Sequence, residues 1–247
     1  MSVEPSAFVA GATGYVGREV VRVLAQERSI ATVAHVRPDS SRLAEWRDRV
    51  AAAGASVDTT EWDEVAMTDT LTRLRPTMVF ALLGTTRSRG RDAATRGATE
   101  TYETVDYGLT SLLVRAATAA ARETGVAPRV VYLSSAGVSA STRNAYLAVR
   151  WRAEQELRAS GLPFVIARPG IITGPDRDEA RPLERAAAVV ADALLAVAGA
   201  LGARGLRERY RSTTNTVLAQ ALVRLALDPN ATAALVESEA LRLPTPR

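Results

Sequence analysis

The stretch AFVAGATGYVGREVVRVLAQE, Ala7 to Glu27, constrains the fold more than any other part of this chain. AFVAGA (Ala7 to Ala12) reads as a strand and YVGREVVRVLAQE as the helix that follows it. Gly11, Gly14 and Gly17 lie at the junction. Glycines there permit a tight turn, close approach of backbone to a pyrophosphate, and close helix packing; the helix N-terminus adds N–H groups and a dipole that favours anions. The G-x-x-G-x-x-G spacing departs from the G-x-G-x-x-G fingerprint, and spacing alone also fits an ordinary strand-to-helix turn. Its place after the first strand of an alternating pattern points to a dinucleotide site, with Thr13, Tyr15 and Val16 in the same cofactor-binding turn.

The alternation continues along the chain. ATVAHVR (Ala31 to Arg37), TMVFALL (Thr77 to Leu83), RVVYLSS (Arg129 to Ser135) and PFVIARP (Pro163 to Pro169) read as strands. Helical stretches lie around Ser41 to Ala53, Glu64 to Leu74, Glu103 to Glu123 and Asn144 to Ser160. This rhythm predicts an α/β fold, a Rossmann-like doubly wound parallel sheet covered on both faces. The 247 residues, 47% of them hydrophobic, suffice for one domain. After Gly170 come a polar loop, TGPDRDEARP, an Ala-rich run from Ala186 to Ala203, a helix near Asn215 to Leu227 and a short terminal segment, ALRLP. Residues 171 to 247 are expected to contribute a small substrate-side lobe. Asp192 interrupts the Ala-rich run, which reads as a short amphipathic or buried helix rather than a membrane span.

Which dinucleotide binds is decided about twenty residues beyond the turn, where NAD-binding proteins carry an acidic side chain for the ribose 2′-hydroxyl. Arg37 stands there, with Arg42 after it. Guanidinium forks suit a phosphate dianion, which favours NADP(H); Asp39 keeps a case for NAD(H), and solvated arginines are the plainer alternative.

Other chemistries are narrowed by composition. Without Cys the chain has no disulfide, thiolate nucleophile or cysteine metal site, and with a single His neither an N/S zinc site nor a Ser-His-Asp triad is attractive, so no metal is expected. His35 sits in an apolar strand and reads as a packed or surface imidazole. All 31 basic side chains are Arg, which excludes lysine Schiff-base chemistry and weakens any special reading of one Arg. The net charge of +4 is spread among 27 acidic residues, so no nucleic-acid partner is expected. The start of the chain lacks a signal-peptide pattern, and a cytoplasmic location without membrane attachment is expected.

Taken in order, the glycine turn, LSS (Leu133 to Ser135), YLAVR (Tyr146 to Arg150) and RPG (Arg168 to Gly170) resemble the short-chain dehydrogenase/reductase superfamily. FALLGTTRSRG and RPGIITGPDRDEARP resemble, more narrowly, its atypical, extended branch that includes the Tat-interactive-protein-like oxidoreductases. The resemblance implies Ser135 as anchor of a substrate carbonyl, Tyr146 as general acid/base and Arg150 in the place of the family's lysine. It further implies cofactor contacts from Leu82, Leu83, Gly84 and Ser134, from Pro169, Gly170 and Ile171 beside the nicotinamide, and from Trp62, with Glu61, on the adenine side. Asp106 replaces a helix Asn of many relatives.

Carbonyl reduction by hydride transfer needs a proton donor at the developing alkoxide. Tyr146 and Arg150, four apart, share a helix face, and a neighbouring cation stabilises a phenolate. Arg150 supplies charge and donors that can reach a ribose hydroxyl, yet it does not readily lend and regain a proton. The leading expectation is an NADP(H)-dependent oxidoreductase acting on a small carbonyl or alcohol. The competing one is a noncatalytic NADP(H)-binding regulator or scaffold, which Arg150 favours. Arg87, Arg89, Arg91 and Arg96 read either as a solvated loop or as one that closes over an anionic substrate. The helices at Glu103 to Glu123 and Asn144 to Ser160 can support a homodimer without requiring one.

Overall fold

Along β1 (Ser6–Ala10), Phe8 and Ala10 enter one apolar layer while Ala7 and Val9 enter the other. Burial on both faces is why this strand reads as a continuous apolar run. The computed structural model describes residues 4–27, 29–85, 101–173 and 212–242. The same two-sided burial recurs in β4 (Met78–Ala81), β5 (Arg129–Leu133) and β6 (Phe164–Arg168). With β2 (Ala31–His35), β3 (Ser56–Asp58) and β9 (Ala234–Glu237) they form one parallel sheet in the order β3-β2-β1-β4-β5-β6-β9. The order reverses between β1 and β4, the crevice where doubly wound sheets bind ligands. The expected Rossmann-like fold is present.

One helical layer holds α1 (Gly17–Gln26), α2 (Leu43–Ala52) and α6 (Asn215–Leu227); the other holds α3 (Glu64–Leu74), α4 (Thr110–Thr124) and α5 (Ala145–Ala159). Their ends follow local chemistry. Asp63 accepts from Val65 and Ala66 N–H to start α3, and Asn144 accepts from Leu147 N–H to start α5. Gly125, at φ 72°, closes α4. Before α4 the helix is wound as a π-helix over Tyr102–Leu109, capped by reciprocal bonds between Thr101 and Thr104. Segments of this kind cluster at functional sites.

Several sequence-based boundaries change. The strands end earlier than the apolar runs, so Leu82 to Thr85 and Ser134 to Ser135 lie in loops at the C-terminal ends of β4 and β5. The three-residue β3 was missed for its brevity. The edge strand β9 was missed because its four residues, ALVE, are only partly buried. The stretch assigned to a small lobe divides: β7 (Ile172–Thr173) and β8 (Thr213–Thr214) pair with each other, whereas α6 packs on α1 and β9 joins the main sheet. Among the described residues no helix is long and apolar enough to cross a membrane; the Ala-rich run lies outside them.

Candidate cofactor and active site

The turn after β1 is built for close backbone approach. Gly11 has φ +83°, and a Cβ there would sit 2.4 Å from the Leu82 carbonyl oxygen; one on Gly17 would sit 2.0 Å from the Gly11 carbonyl oxygen. Gly14 N–H donates to Gly11 C=O at 2.9 Å, which closes the turn. No side chain caps α1. A tight glycine turn leading into an uncapped helix N-terminus fits a pyrophosphate. Thr13 and Tyr15 are half-buried beside it, with the Arg18 guanidinium 5.4 Å from the Tyr15 ring centre. Val16 is a core residue.

Arg37 follows β2, 3.8 Å from the Asp39 carboxylate. Arg42 donates twice to Glu45, at 2.7 and 2.8 Å, and with Arg49 flanks Trp46. A 2′-phosphate would therefore compete with Glu45 for Arg42. Trp62 stands edge-on to His35, ring centres 4.7 Å apart, just past β3. His35 is a packed core imidazole: its Nε2 donates to the Thr60 carbonyl at 2.7 Å, and burial, against that bond, lowers its pKa and keeps it neutral.

Tyr146 and Arg150 lie one turn apart on α5. Tyr146 is half-buried, and its ring meets that of Tyr102 edge-on at 5.2 Å. The Arg150 guanidinium is 5% exposed, with its Cζ 5.1 Å from the Tyr146 ring centre. Nη1 donates to the Leu133 carbonyl and, at 3.4 Å, to Tyr132 Oη; Nη2 donates to the Leu83 carbonyl at 3.2 Å and to Asp106 Oδ1 at 2.6 Å. Of the five guanidinium N–H groups, only that on Nε has no partner among the described residues, and it is buried. Burial opposes the charge on Arg150, but Tyr132, Tyr146 and Asp106 more than offset it, so its pKa is raised. Burial pushes the Tyr132 phenol up to about 12 against the opposing pull of Arg150, so it stays protonated.

Four of the Arg150 N–H groups are thus committed to protein acceptors, which leaves Nε for a ribose hydroxyl. Ser134 is held by its side chain. Its hydroxyl is buried and donates to Glu154 Oε1 at 2.6 Å, while Arg168 of the RPG segment holds both oxygens of Glu154, at 2.8 and 2.6 Å. Ser135, one residue on, is half-buried, and among the described residues its Oγ donates a single 3.4 Å bond, to the Ala136 carbonyl. Pro169 C=O accepts from Ala136 N–H, Gly170 is half-buried, and Ile171 is exposed.

The loops after β1, β4, β5 and β6 thus converge at one end of the sheet, carrying Gly11, Leu82, Leu83, Gly84, Ser135 and Pro169, with Arg150 reaching the β4 and β5 ends from α5 and Tyr146 lying against it. Arg37, Arg42 and Trp62 belong to the β2–β3 side. The tie from Asp106 to Arg150 and the Glu154–Arg168 pair were missed. An acidic residue at 106 was visible in the sequence, but nothing in it linked positions 44 apart. Arg87, Arg89, Arg91 and Arg96 lie outside the described residues. Among the described residues no group of His, Asp and Glu could hold a metal ion.

Residues 11–199 match the profile of a protein family described as NAD(P)H-binding. Protein fmp52-1, mitochondrial, of Aspergillus terreus is 32% identical over 187 residues, covering 75% of this chain and 74% of its own length. Protein fmp52, mitochondrial, of Aspergillus fumigatus is 31% identical over 219 residues, covering 88% and 85%. An oxidoreductase of the short-chain dehydrogenase/reductase family from Burkholderia thailandensis superposes with a TM-score of 0.66 over 98% of this chain and 94% of that one, at 20% identity, a likeness of fold. The relatives' mitochondrial names overturn the expectation of a cytoplasmic location.

Proposed function

From the premise that this chain belongs to the NAD(P)H-binding family, with an extended short-chain dehydrogenase/reductase-like fold, we propose that it is an NADP(H)-dependent oxidoreductase acting on a small carbonyl or alcohol. One observation carries the reading: Tyr146 is held half-exposed against a buried, charge-paired guanidinium at the ends of β4 and β5. The dinucleotide supplies or accepts the hydride when bound. The glycine turn and the α1 N-terminus hold its pyrophosphate, and Arg37, with Arg42, meets the 2′-phosphate. Ser135 Oγ donates to the substrate carbonyl and Tyr146 Oη gives up its proton to the developing alkoxide. Arg150 contributes charge and support. It does not relay a proton, because a guanidinium keeps its own.

A noncatalytic NADP(H)-binding regulator is favoured by a different observation, the commitment of four Arg150 donors to protein acceptors. The two readings separate in one experiment. NADPH oxidation is followed at 340 nm against a panel of aldehydes and ketones, with NADPH affinity measured independently by fluorescence. Turnover that disappears in Tyr146→Phe supports the enzyme. Tight NADPH binding with no turnover across the panel favours the regulator.

A further inference from the structure

We propose that Asp106 is a positioning residue: through its ion pair with Arg150 it fixes the guanidinium against the Tyr146 ring and so sets where the phenol points. The proposal builds on the reading of Tyr146 as acid/base. Asp106 is fully buried in the π-helical segment and uses both carboxylate oxygens. Oδ1 accepts from Arg150 Nη2 at 2.6 Å; Oδ2 accepts from Thr85 N–H at 2.9 Å and from Thr85 Oγ1 at 2.5 Å. It therefore joins three elements: the loop after β4, the π-helical segment and α5. Gly84 makes the room, since a Cβ there would lie 3.1 Å from Arg150 Nη2 and 3.5 Å from Asp106 Oδ1. The remaining acceptors of the fork are two carbonyls and a phenol, all uncharged at neutral pH. Asp106 is thus the one carboxylate bound to this cation among the described residues. Without it the guanidinium is a buried charge with no counter-charge, and such groups move towards water or another anion. Tyr146 would lose its support as Arg150 moved.

If Asp106 acts only through Arg150, its substitution has no further effect once Arg150 is gone. The test compares Asp106→Asn, Arg150→Met and the double variant. Protein carrying 13Cζ-tyrosine reports Tyr146 directly, its resonance assigned by its loss in Tyr146→Phe. We expect Asp106→Asn to shift that resonance and to lower kcat by about tenfold to a hundredfold, the scale of a misplaced reacting group, while NADPH affinity changes little. The double variant should match Arg150→Met in both readouts. An unmoved Tyr146 resonance in folded Asp106→Asn, or effects that add in the double variant, would overturn the proposal. Should Asp106→Asn fail to fold, Thr85→Val removes only the hydroxyl donor to Oδ2; a smaller shift of the Tyr146 resonance supports the proposal and none overturns it. If the unsubstituted protein binds NADPH but turns nothing over, the acid/base reading fails while the resonance still decides whether Asp106 positions Tyr146.

Discussion

At Arg150 the exchange of one basic residue for another is not neutral. Its planar fork serves four acceptors in fixed directions, whereas a lysine carries three protons on one nitrogen. Arg150→Lys should therefore keep the charge but lose bonds and thermal stability. Arg150→Met should cost more, about 3–5 kcal/mol in urea unfolding, because Asp106 stays buried without its counter-charge. If both variants unfold at the same urea concentration as the parent, the buried pair does not stabilise the fold. Tyr146→Phe, by contrast, removes only an oxygen, and should lower kcat by about a hundredfold or more while NADPH affinity is retained. His35 supplies a pH dependence. Its folded pKa is below 6.5, so in acid the unfolded chain takes up a proton that the folded chain refuses. Stability should be full above about pH 6.5 and fall as the pH drops below it. His35→Phe should remove that part of the acid loss, and equal slopes in pH-dependent thermal melts would assign the loss to other groups. Ser135, Tyr146 and the oddity of Arg150 were legible in the sequence because they sit in short local motifs. Asp106 was legible as a departure, but its bond to Arg150 spans 44 residues and exists only after folding.

Among the elements, the β1 turn and α1 act together. A methyl on Gly17 would collide with the Gly11 carbonyl, which is backbone, so no flexible side chain can yield. Gly17→Ala should thus lift α1 off the turn and weaken NADPH binding by at least about tenfold, a loss of 1.4 kcal/mol or more. Unchanged affinity by fluorescence titration would mean that the turn adapts. Helices with caps and clear apolar faces were read well: α3 spans the predicted residues and α6 matches to the residue. The start of the helix expected over Glu103 to Glu123 was read as ordinary, since nothing in TYETVDYGL distinguishes a π-helical winding from an α-helical one. That choice depends on what the segment packs against, and it carries Asp106 to Arg150. Strands β3 and β9 were hidden for a related reason. Strands so short, at sheet edges and partly exposed, lack the hydrophobic period on which sequence reading relies.

For the whole molecule, cofactor choice is the property that integrates both ends of the groove. A nucleotide that binds only the folded state at a hundred times its Kd stabilises by about 2.7 kcal/mol. We expect NADPH to raise the melting temperature more than NADH at equal concentration, and Arg37→Asp to reverse the order, because a carboxylate suits a 2′-hydroxyl and repels a 2′-phosphate. Equal shifts from the two nucleotides in the unsubstituted protein would remove the phosphate role from Arg37. The layered α/β fold and the glycine turn were readable from the chain alone, as were the motifs that carry Ser135 and Tyr146, since each follows from local periodicity, backbone permissiveness or a pattern contained in a few residues. The bonds of Arg150 exist only once the chain has folded. A buried cation must find its counter-charge and acceptors wherever the fold brings them, and here they come from the loop after β4, the end of β5 and a π-helical turn far away in sequence. The same holds for the Ser134 hydroxyl, held by Glu154, which Arg168 holds in turn, because a buried polar group is claimed by the nearest partner that can satisfy it.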